Sequence, residues 1–410
     1  MRRALCLLLL YCTLLPLSAQ SRRGRVQLFQ QPERNRFAWE YDADFQYIFD
    51  NREFDASGGA FLPSETMHTV VFAPTVGFSV EQSRTVRHHL SAGLELAHDM
   101  GSRNWADLPR ELLLFYDVHV QTRGGSFEGV AGIFPRRFLQ GSYSEAIFSD
   151  SYLLADRNVE GLLLKWHAPA FRTELGLDWL GKYGPGSRER FQIISAGAWQ
   201  ATRWLSLGWA GSFYHFACAP GAENVIDNHL LNPWIKVDAA GHTAWQELSA
   251  QVGALVTYQW DRGNDAKPRT PFGGELVLSA RRWNVGLRNT SYLGRNLQPY
   301  YKAKAPEGGT YGSALYFGTP LYNGFYDCLV LDWTPRLTYF LSLRIAARFH
   351  FNYYGFVGWQ QQLTLRFSLD ALRHRENPAG LITSSFAGSS SSFAGSSSSF
   401  AGLTGESPIL

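Results

Sequence analysis

Apolar and polar residues alternate with a period of two along several long stretches of this chain. From Leu337 to Phe351 the odd positions are apolar, whereas the even positions include threonine, serine, arginine and histidine. The same alternation runs through 36–49, 247–260 and 362–369. Successive side chains of a β-strand point to opposite faces, so each stretch predicts a strand with one apolar and one polar face.

Applied to the whole chain, this criterion predicts sixteen strands, and fourteen or eighteen stay compatible with the weaker segments. The predicted strands are 36–49, 68–80, 88–98, 110–121, 127–134, 159–166, 171–180, 191–199, 204–216, 230–238, 244–259, 272–281, 285–292, 325–333, 337–351 and 356–369. Long connections such as 50–67 and 135–158 alternate with short ones, except that the last outer connection, 352–355, is short.

The predicted strands favour an all-β, transmembrane antiparallel β-barrel over residues 35–371. Every backbone amide inside a lipid bilayer must be paired, so strands can cross it only as a closed barrel. Such a barrel has long outer loops, short periplasmic turns and aromatic residues near the strand ends. A soluble β-sandwich gives the same alternation and is the alternative, but its strands are usually shorter, roughly 3–10 residues.

The N-terminus has the three parts of a secretory signal peptide. Arg2 and Arg3 precede the apolar stretch 4–17, and small residues follow it. We therefore predict a signal peptide over 1–19, followed by a short periplasmic segment at 20–34.

The C-terminal residues 372–410 differ in composition from the rest. Phe386, Phe393 and Phe400 recur within a run of serine, glycine and alanine. Such low complexity cannot bury a core, so we expect a disordered tail. Deletion of 376–410 should leave barrel assembly intact.

Composition and motifs exclude several classes of function. The formal charge of +3 is too small to indicate a nucleic-acid-binding protein. No metal-binding histidine spacing, phosphate-binding loop or nucleophile elbow occurs, so we predict no metal, no cofactor and no catalytic residue. An outer-membrane lipid hydrolase is the weakest alternative, because His215 on the outer wall has no evident serine partner.

The chain resembles the porin-like outer-membrane barrels of Gram-negative bacteria over 35–371, at the level of architecture and without a subfamily motif. The resemblance implies a channel for passive diffusion of small polar solutes in the outer membrane. It also implies outer-membrane lipid, periplasmic chaperones and the barrel-assembly machinery as partners, and it leaves a homo-oligomer open. The alternative is a closed barrel whose outer loops bind a ligand or a host surface.

The alternation assigns charged residues to the lumen. An acidic wall is predicted from Glu40, Asp42, Asp44, Glu95, Glu111 and Asp117, and a basic wall from Arg281, Arg288, Arg344, Arg348 and Arg366. Barrel closure would bring Arg366 beside the acids of the first strand. Opposed charged walls can select polar solutes, or the same residues can form salt bridges that brace the wall or plug the barrel.

Two long connections are candidates for special roles. In the porins that this chain resembles, the loop after the fifth of sixteen strands folds inward, which makes 135–158 the candidate constriction loop. Its candidate pore charges are Arg136, Arg137, Asp150 and Asp156. An ordinary outer loop is the alternative. The connection 293–324, rich in tyrosine, is expected to form an outer cap or a binding surface.

Overall fold

The computed structural model describes residues 36–55, 62–102 and 110–369. Within them, sixteen antiparallel strands form one closed barrel in which each strand pairs with its sequence neighbours and β1 pairs with β16. The strands are β1 (Arg36–Phe54), β2 (Glu65–Ser83), β3 (Val86–Asp99), β4 (Arg110–Thr122), β5 (Gly125–Pro135), β6 (Asn158–Ala168), β7 (Phe171–Gly181), β8 (Arg190–Gln200), β9 (Leu205–Phe216), β10 (Ile226–Asp238), β11 (Glu247–Asp261), β12 (Phe272–Arg282), β13 (Val285–Gly294), β14 (Phe325–Trp333), β15 (Leu341–Asn352) and β16 (Gly355–Ser368). The predicted fold class is confirmed, and each predicted strand overlaps one of these.

Helical structure in the described residues is limited to short pieces. Two α-helical turns, α1 (Asp150–Ala155) and α2 (Gly312–Leu315), and the 3-10 turns Arg136–Phe138 and Ala240–His242 all lie in connections. No helix in the described ranges has the length and apolar character needed to cross a membrane.

The two faces of the wall separate as the alternation predicts. On β1, Trp39 is 69% exposed on the outside, whereas Asp44 on the inside is 2% exposed. On β11, Val252 is 61% exposed and Leu255 is fully buried. The exterior is therefore apolar and uncovered, which is the reverse of a soluble sandwich, where apolar faces pack on each other.

Several predicted boundaries are wrong. The strand predicted at 337–351 begins at Leu341, because Thr338 Oγ1 accepts the backbone N–H of Leu341 at 3.0 Å and closes a turn. Alternation alone does not distinguish such a turn from ladder pairing. The strand predicted to begin at 230 begins at Ile226, where register with β9 and β11 extends it.

The connections divide into two ends of the barrel. The turn end holds 84–85, 123–124, 169–170, 201–204, 239–246, 283–284 and 334–340, and the loop end holds the longer connections and the short 353–354. The short last connection is confirmed. The predicted signal peptide 1–19, the segment 20–34 and the tail 372–410 lie outside the described residues.

Two loop-end connections pack inside the barrel and give it a core. We call 136–157 the inner loop and 295–324 the tyrosine loop. The inner loop packs its apolar side chains on the inner face of β4 to β9, in a cluster that includes Phe134, Ile147, Phe148 and Leu163. The tyrosine loop forms two further clusters with inner-face residues of β9 to β16.

Candidate functional site

The inner loop leaves β5 at Pro135 and rejoins the wall at Asn158. These two residues pair with each other across the β5–β6 ladder, so the two ends of the loop lie side by side. Its return includes α1, where Ser149 caps the helix by accepting the Tyr152 N–H at 3.1 Å. This cap satisfies one of the backbone donors that a helix N-terminus leaves free.

Arg348 on β15 holds one side of the inner loop. Its guanidinium lies 2.6 Å from Glu145 Oε2 and also pairs with Asp150. Arg348 is 3% exposed, so these contacts form in a shielded environment where charge pairing is strong. The predicted site residues Arg348 and Asp150 therefore meet, although they are 198 positions apart in the sequence.

Asp44 on β1 binds two guanidinium groups. Arg366 of the neighbouring β16 donates to both of its carboxylate oxygens at 2.8 Å, and Arg137 of the inner loop lies at 3.2 Å. Arg366 of the predicted basic wall thus pairs with Asp44 of the predicted acidic wall at the barrel seam. The same carboxylate anchors the inner loop.

Arg136 is buried beneath the inner loop and pairs on both sides. Its guanidinium lies 2.8 Å from Asp178 of β7 and 2.9 Å from Asp156, and 5.0 Å from the centre of the Tyr152 ring. Burial opposes the charged form, but Tyr152, Asp178 and Asp156 outweigh it and raise the pKa of Arg136. Arg136 is thus a buried anchor of the inner loop, whereas the Asp156 side chain stays 33% exposed.

Two wall glutamates accept hydrogen bonds from the middle of the inner loop. The N–H groups of Gln140 and Gly141 donate to Glu174 at 2.7 and 2.8 Å, and the Tyr143 hydroxyl donates at 2.6 Å. On the opposite wall, Ser144 donates to Glu275 at 2.7 Å. Burial, reinforced by the Glu174 carboxylate, raises the pKa of the Tyr143 hydroxyl, which therefore stays protonated and donating.

The remaining acids of the predicted acidic wall also have partners. Glu95 lies 2.6 Å from Arg157 at the end of the inner loop, and Glu111 accepts from Asn158. Asp117 accepts from His89 at 2.6 Å. Two further members, Glu40 and Asp42, lie on the inner face of β1, where Glu40 pairs with Arg87.

The remaining bases of the predicted basic wall lie toward the turn end. Arg281 pairs with Asp332 at 2.8 Å. Arg288 lines a polar cavity under the inner loop together with Lys236 and Glu275. Another member, Arg344, is 9% exposed. Of the basic wall, the structure thus places Arg288 at an interior cavity and Arg348 against the inner loop.

The tyrosine loop lies over the inner loop in the barrel mouth. The Ser149 N–H donates to the Phe317 carbonyl and the Thr319 N–H to the Glu145 carbonyl, both at 2.8 Å. The tyrosines of this loop that are buried are Tyr300, Tyr311, Tyr316 and Tyr322. Their rings face the barrel's own wall, and the expectation that the connection forms an outer cap or a binding surface stays a prediction.

Individual hydrogen bonds fix the tyrosine loop to the wall. Tyr316 donates to Gln259 Oε1 at 2.6 Å, and Tyr322 donates to Glu275 Oε1 at 2.8 Å. At its tip, Glu307 accepts two hydrogen bonds of 2.7 Å from Arg188. The bonds from Arg188, as the main cause, lower the pKa of Glu307.

Sequence reasoning missed Glu145, Arg157 and Arg188. Glu145 lies inside the candidate constriction loop, and its charge opposite to Arg348 is the signal that could have identified it. Arg157 and Arg188 lie near the ends of their connections, just before β6 and β8. The alternation of apolar and polar residues gives no signal that they pair with Glu95 and Glu307.

Comparisons with known proteins give matches in structure but not in sequence. No family model matches the chain, and no curated protein matches it. The solved structures that resemble it include a double mutant of OccD1 (OprD), with 12% identity, a TM-score of 0.46 and coverage of 81% of this chain and 95% of that one. Salmonella typhi OmpF in complex with daunomycin has 10% identity, a TM-score of 0.46 and coverage of 81% and 97%.

A triple mutant of the Rhodopseudomonas blastica porin has 10% identity, a TM-score of 0.41 and coverage of 81% of this chain and 100% of that one. At such scores, conclusions about function rest on the geometry of the chain itself. That geometry is a closed barrel of sixteen strands with an apolar exterior, a strand number typical of porin-like barrels.

Proposed function

We propose that this chain is an outer-membrane, porin-like channel through which small polar solutes diffuse along a lumen narrowed by the inner loop. The apolar exterior suits lipid, and a closed barrel leaves no unpaired strand edge in it. The observation that carries the proposal is the course of the inner loop. Its side chains and backbone bond to the inner faces of β1, β3, β7, β12 and β15, so the loop extends across the interior.

The interior chemistry supports a wet lumen. A cavity beneath the inner loop is lined by polar side chains, among them Lys236, Gln251 and Arg288. Polar groups that line an interior space are satisfied by water where protein does not pair them. Polar solutes would meet the same donors and acceptors, whereas apolar solutes would have to leave them unpaired.

Single-channel recording tests the proposal. The mature full-length protein, refolded into a planar bilayer, should give discrete conductance steps. Arg348→Met should enlarge or destabilise these steps, because it frees one side of the inner loop. Arg281→Gln is the matched control. It also breaks an ion pair, but that pair joins Arg281 to Asp332 within the wall and does not involve the inner loop. A correctly folded but silent barrel would contradict the channel.

The seating of the tyrosine loop favours a closed barrel as the second candidate. A folded parent that is silent in these recordings would favour this closed barrel over the channel.

Lipid hydrolysis has less support. His215 on the outer wall bonds Asp227 at 3.1 Å, and no serine hydroxyl bonds it within the described ranges.

A further inference from the structure

Three turns meet around a pocket on the outer wall at the turn end. They connect β10 to β11, β12 to β13 and β14 to β15. The pocket has a volume of about 420 Å³ and is lined by Ala244, Gln246, Arg282, Trp283, Asn284 and Arg336. Because it faces outward, solutes in the lumen do not pass through it.

The turn between β12 and β13 holds Trp283 in a strained position. Trp283 has a φ of 52° and Asn284 a φ of 64°. Asparagine adopts this left-handed conformation readily, whereas a bulky indole does so at a cost. Gln246 secures the turn by accepting the Asn284 N–H at 2.8 Å. Trp283 is 77% exposed, so its ring is available for a contact outside the chain.

Two arginines give this pocket a positive charge. The Arg282 guanidinium lies 4.4 Å from the ring centre of Trp283 and 5.8 Å from that of Trp245. Arg336 is exposed on the same pocket. Among the described residues, no acidic side chain lies within 4 Å of either guanidinium, in contrast to the neighbouring Arg281, which pairs with Asp332.

An apolar groove continues from the pocket along the outer wall. Leu248 follows Gln246 on the outer face of β11, and Ala280 precedes Arg282 on that of β12. Leu248 pairs with Ala280, and Ala250 with Leu278, so small and large side chains alternate across the two strands. The resulting cavity has a volume of about 440 Å³, and its apolar lining side chains are Val237, Leu248, Ala250, Leu278, Ala280 and Leu287.

We propose that this surface binds an anionic phospholipid of the periplasmic leaflet. Arg282 and Arg336 bind the headgroup phosphate, Trp245 and Trp283 lie at the headgroup level, and one acyl chain occupies the groove. The unpaired positive charge selects an anionic headgroup over a zwitterionic one, and aromatic rings favour the membrane interface. The site depends on the membrane location in the proposed function but not on conduction.

Native mass spectrometry of the detergent-solubilised full chain tests the site. With equal amounts of phosphatidylglycerol and phosphatidylcholine, the parent should retain phosphatidylglycerol preferentially. R282Q/R336Q should weaken this retention about 25-fold, from roughly fivefold for each arginine near a membrane surface. The matched control is R84Q/R123Q, which removes two exposed turn-end arginines from the connections between β2 and β3 and between β4 and β5, and it should behave as the parent.

The groove has its own variant. Ala280→Phe fills it without touching the arginines and should displace the lipid. Glycerol 1-phosphate, which has the phosphate but no acyl chains, should not compete. Equal retention by R282Q/R336Q and the parent, no effect of Ala280→Phe, or displacement by glycerol 1-phosphate would each overturn the site.

Conductance and heat-modifiable migration in gels separate this proposal from the channel. R282Q/R336Q should migrate as a folded barrel and conduct as the parent does. A silent parent that retains phosphatidylglycerol would refute the channel and leave the lipid site intact. A parent that conducts but shows no lipid preference would support the channel and refute the lipid site.

Discussion

The inner loop and the tyrosine loop enter the same barrel from the same end, but they are held by different forces. Besides its apolar cluster, the inner loop is bound through buried ion pairs, with Arg348, Asp44 and Asp178 on the wall and their partners on the loop. The tyrosine loop is bound mainly by buried rings and neutral hydrogen-bond donors, with the charged clamp of Arg188 at its tip.

This difference indicates how each loop responds to change. A buried ion pair adds little net stability against desolvation, but removing one partner leaves an uncompensated charge. The position of the inner loop is therefore sharply dependent on single charges. Packing of rings is distributed over many contacts, so the tyrosine loop should tolerate single substitutions better.

The largest effect is expected from Arg348→Met. It leaves the buried carboxylates of Glu145 and Asp150 without their main cation, which should cost about 3–5 kcal/mol. Hydrogen exchange should rise in 136–157 and much less in 295–324. Urea unfolding in detergent measures the loss of stability, and mass spectrometry measures the hydrogen exchange of each loop. Arg281→Gln is the control. Unchanged exchange in 136–157 would show that charges do not hold this loop.

A smaller effect is expected from Tyr322→Leu. Tyr322 is fully buried, its ring lies about 5 Å from those of Tyr292 and Tyr326, and its hydroxyl bonds Glu275. Loss of these contacts should cost about 2–3 kcal/mol. Exchange should rise first in 295–324, and Tyr353→Leu, at an 82% exposed loop-end position, should change nothing. Equal disturbance of both loops would show that they behave as one unit.

The smallest effect is expected from Glu307→Gln, because Glu307 is the exposed partner of the clamp, whereas Arg188 is buried and also donates to Ala217 and Asn224. Glu307 is 45% exposed, so its pair with Arg188 should contribute under about 1 kcal/mol. The lowered pKa of Glu307 means that the clamp is present above the usual value of 4.5 and is lost as the pH falls through the lowered value.

Hydrogen exchange around position 307 should therefore increase on acidification in the parent and be independent of pH in Glu307→Gln. Lys182→Gln, in the same connection as Arg188, should retain the pH dependence of the parent. A parent without any acid response would contradict the clamp.

Much of the wall could be predicted from the sequence because its cause is local. The period of two in β1 and β11 reflects the geometry of a single strand, and it assigns inner and outer residues without knowledge of the partners. The strand predicted at 337–351 begins too early for a reason that is also local. The turn closed by Thr338 keeps the apolar–polar alternation, but its residues do not pair with a neighbouring strand.

The partners of the lumenal charges could not be predicted in the same way. Alternation places Arg348 on the inner face, but Glu145 reaches it from a loop 203 positions earlier. Only closure of the sheet brings such residues together, and opposite charge alone offers many equivalent pairings. Closure did place Arg366 beside β1, because the first and last strands of a barrel must meet.

The sequence by itself determined the inner and outer faces and the alternation of long and short connections, since each follows from local backbone geometry and from sorting of apolar residues, and it favoured sixteen strands over fourteen or eighteen. The tertiary structure decided the final strand number, that both long loops pack into the lumen, which ion pairs hold them, and that Arg282, Arg336 and the alanines of β11 and β12 lie on one outer surface. These features depend on contacts between strands and turns that only the closed barrel brings together.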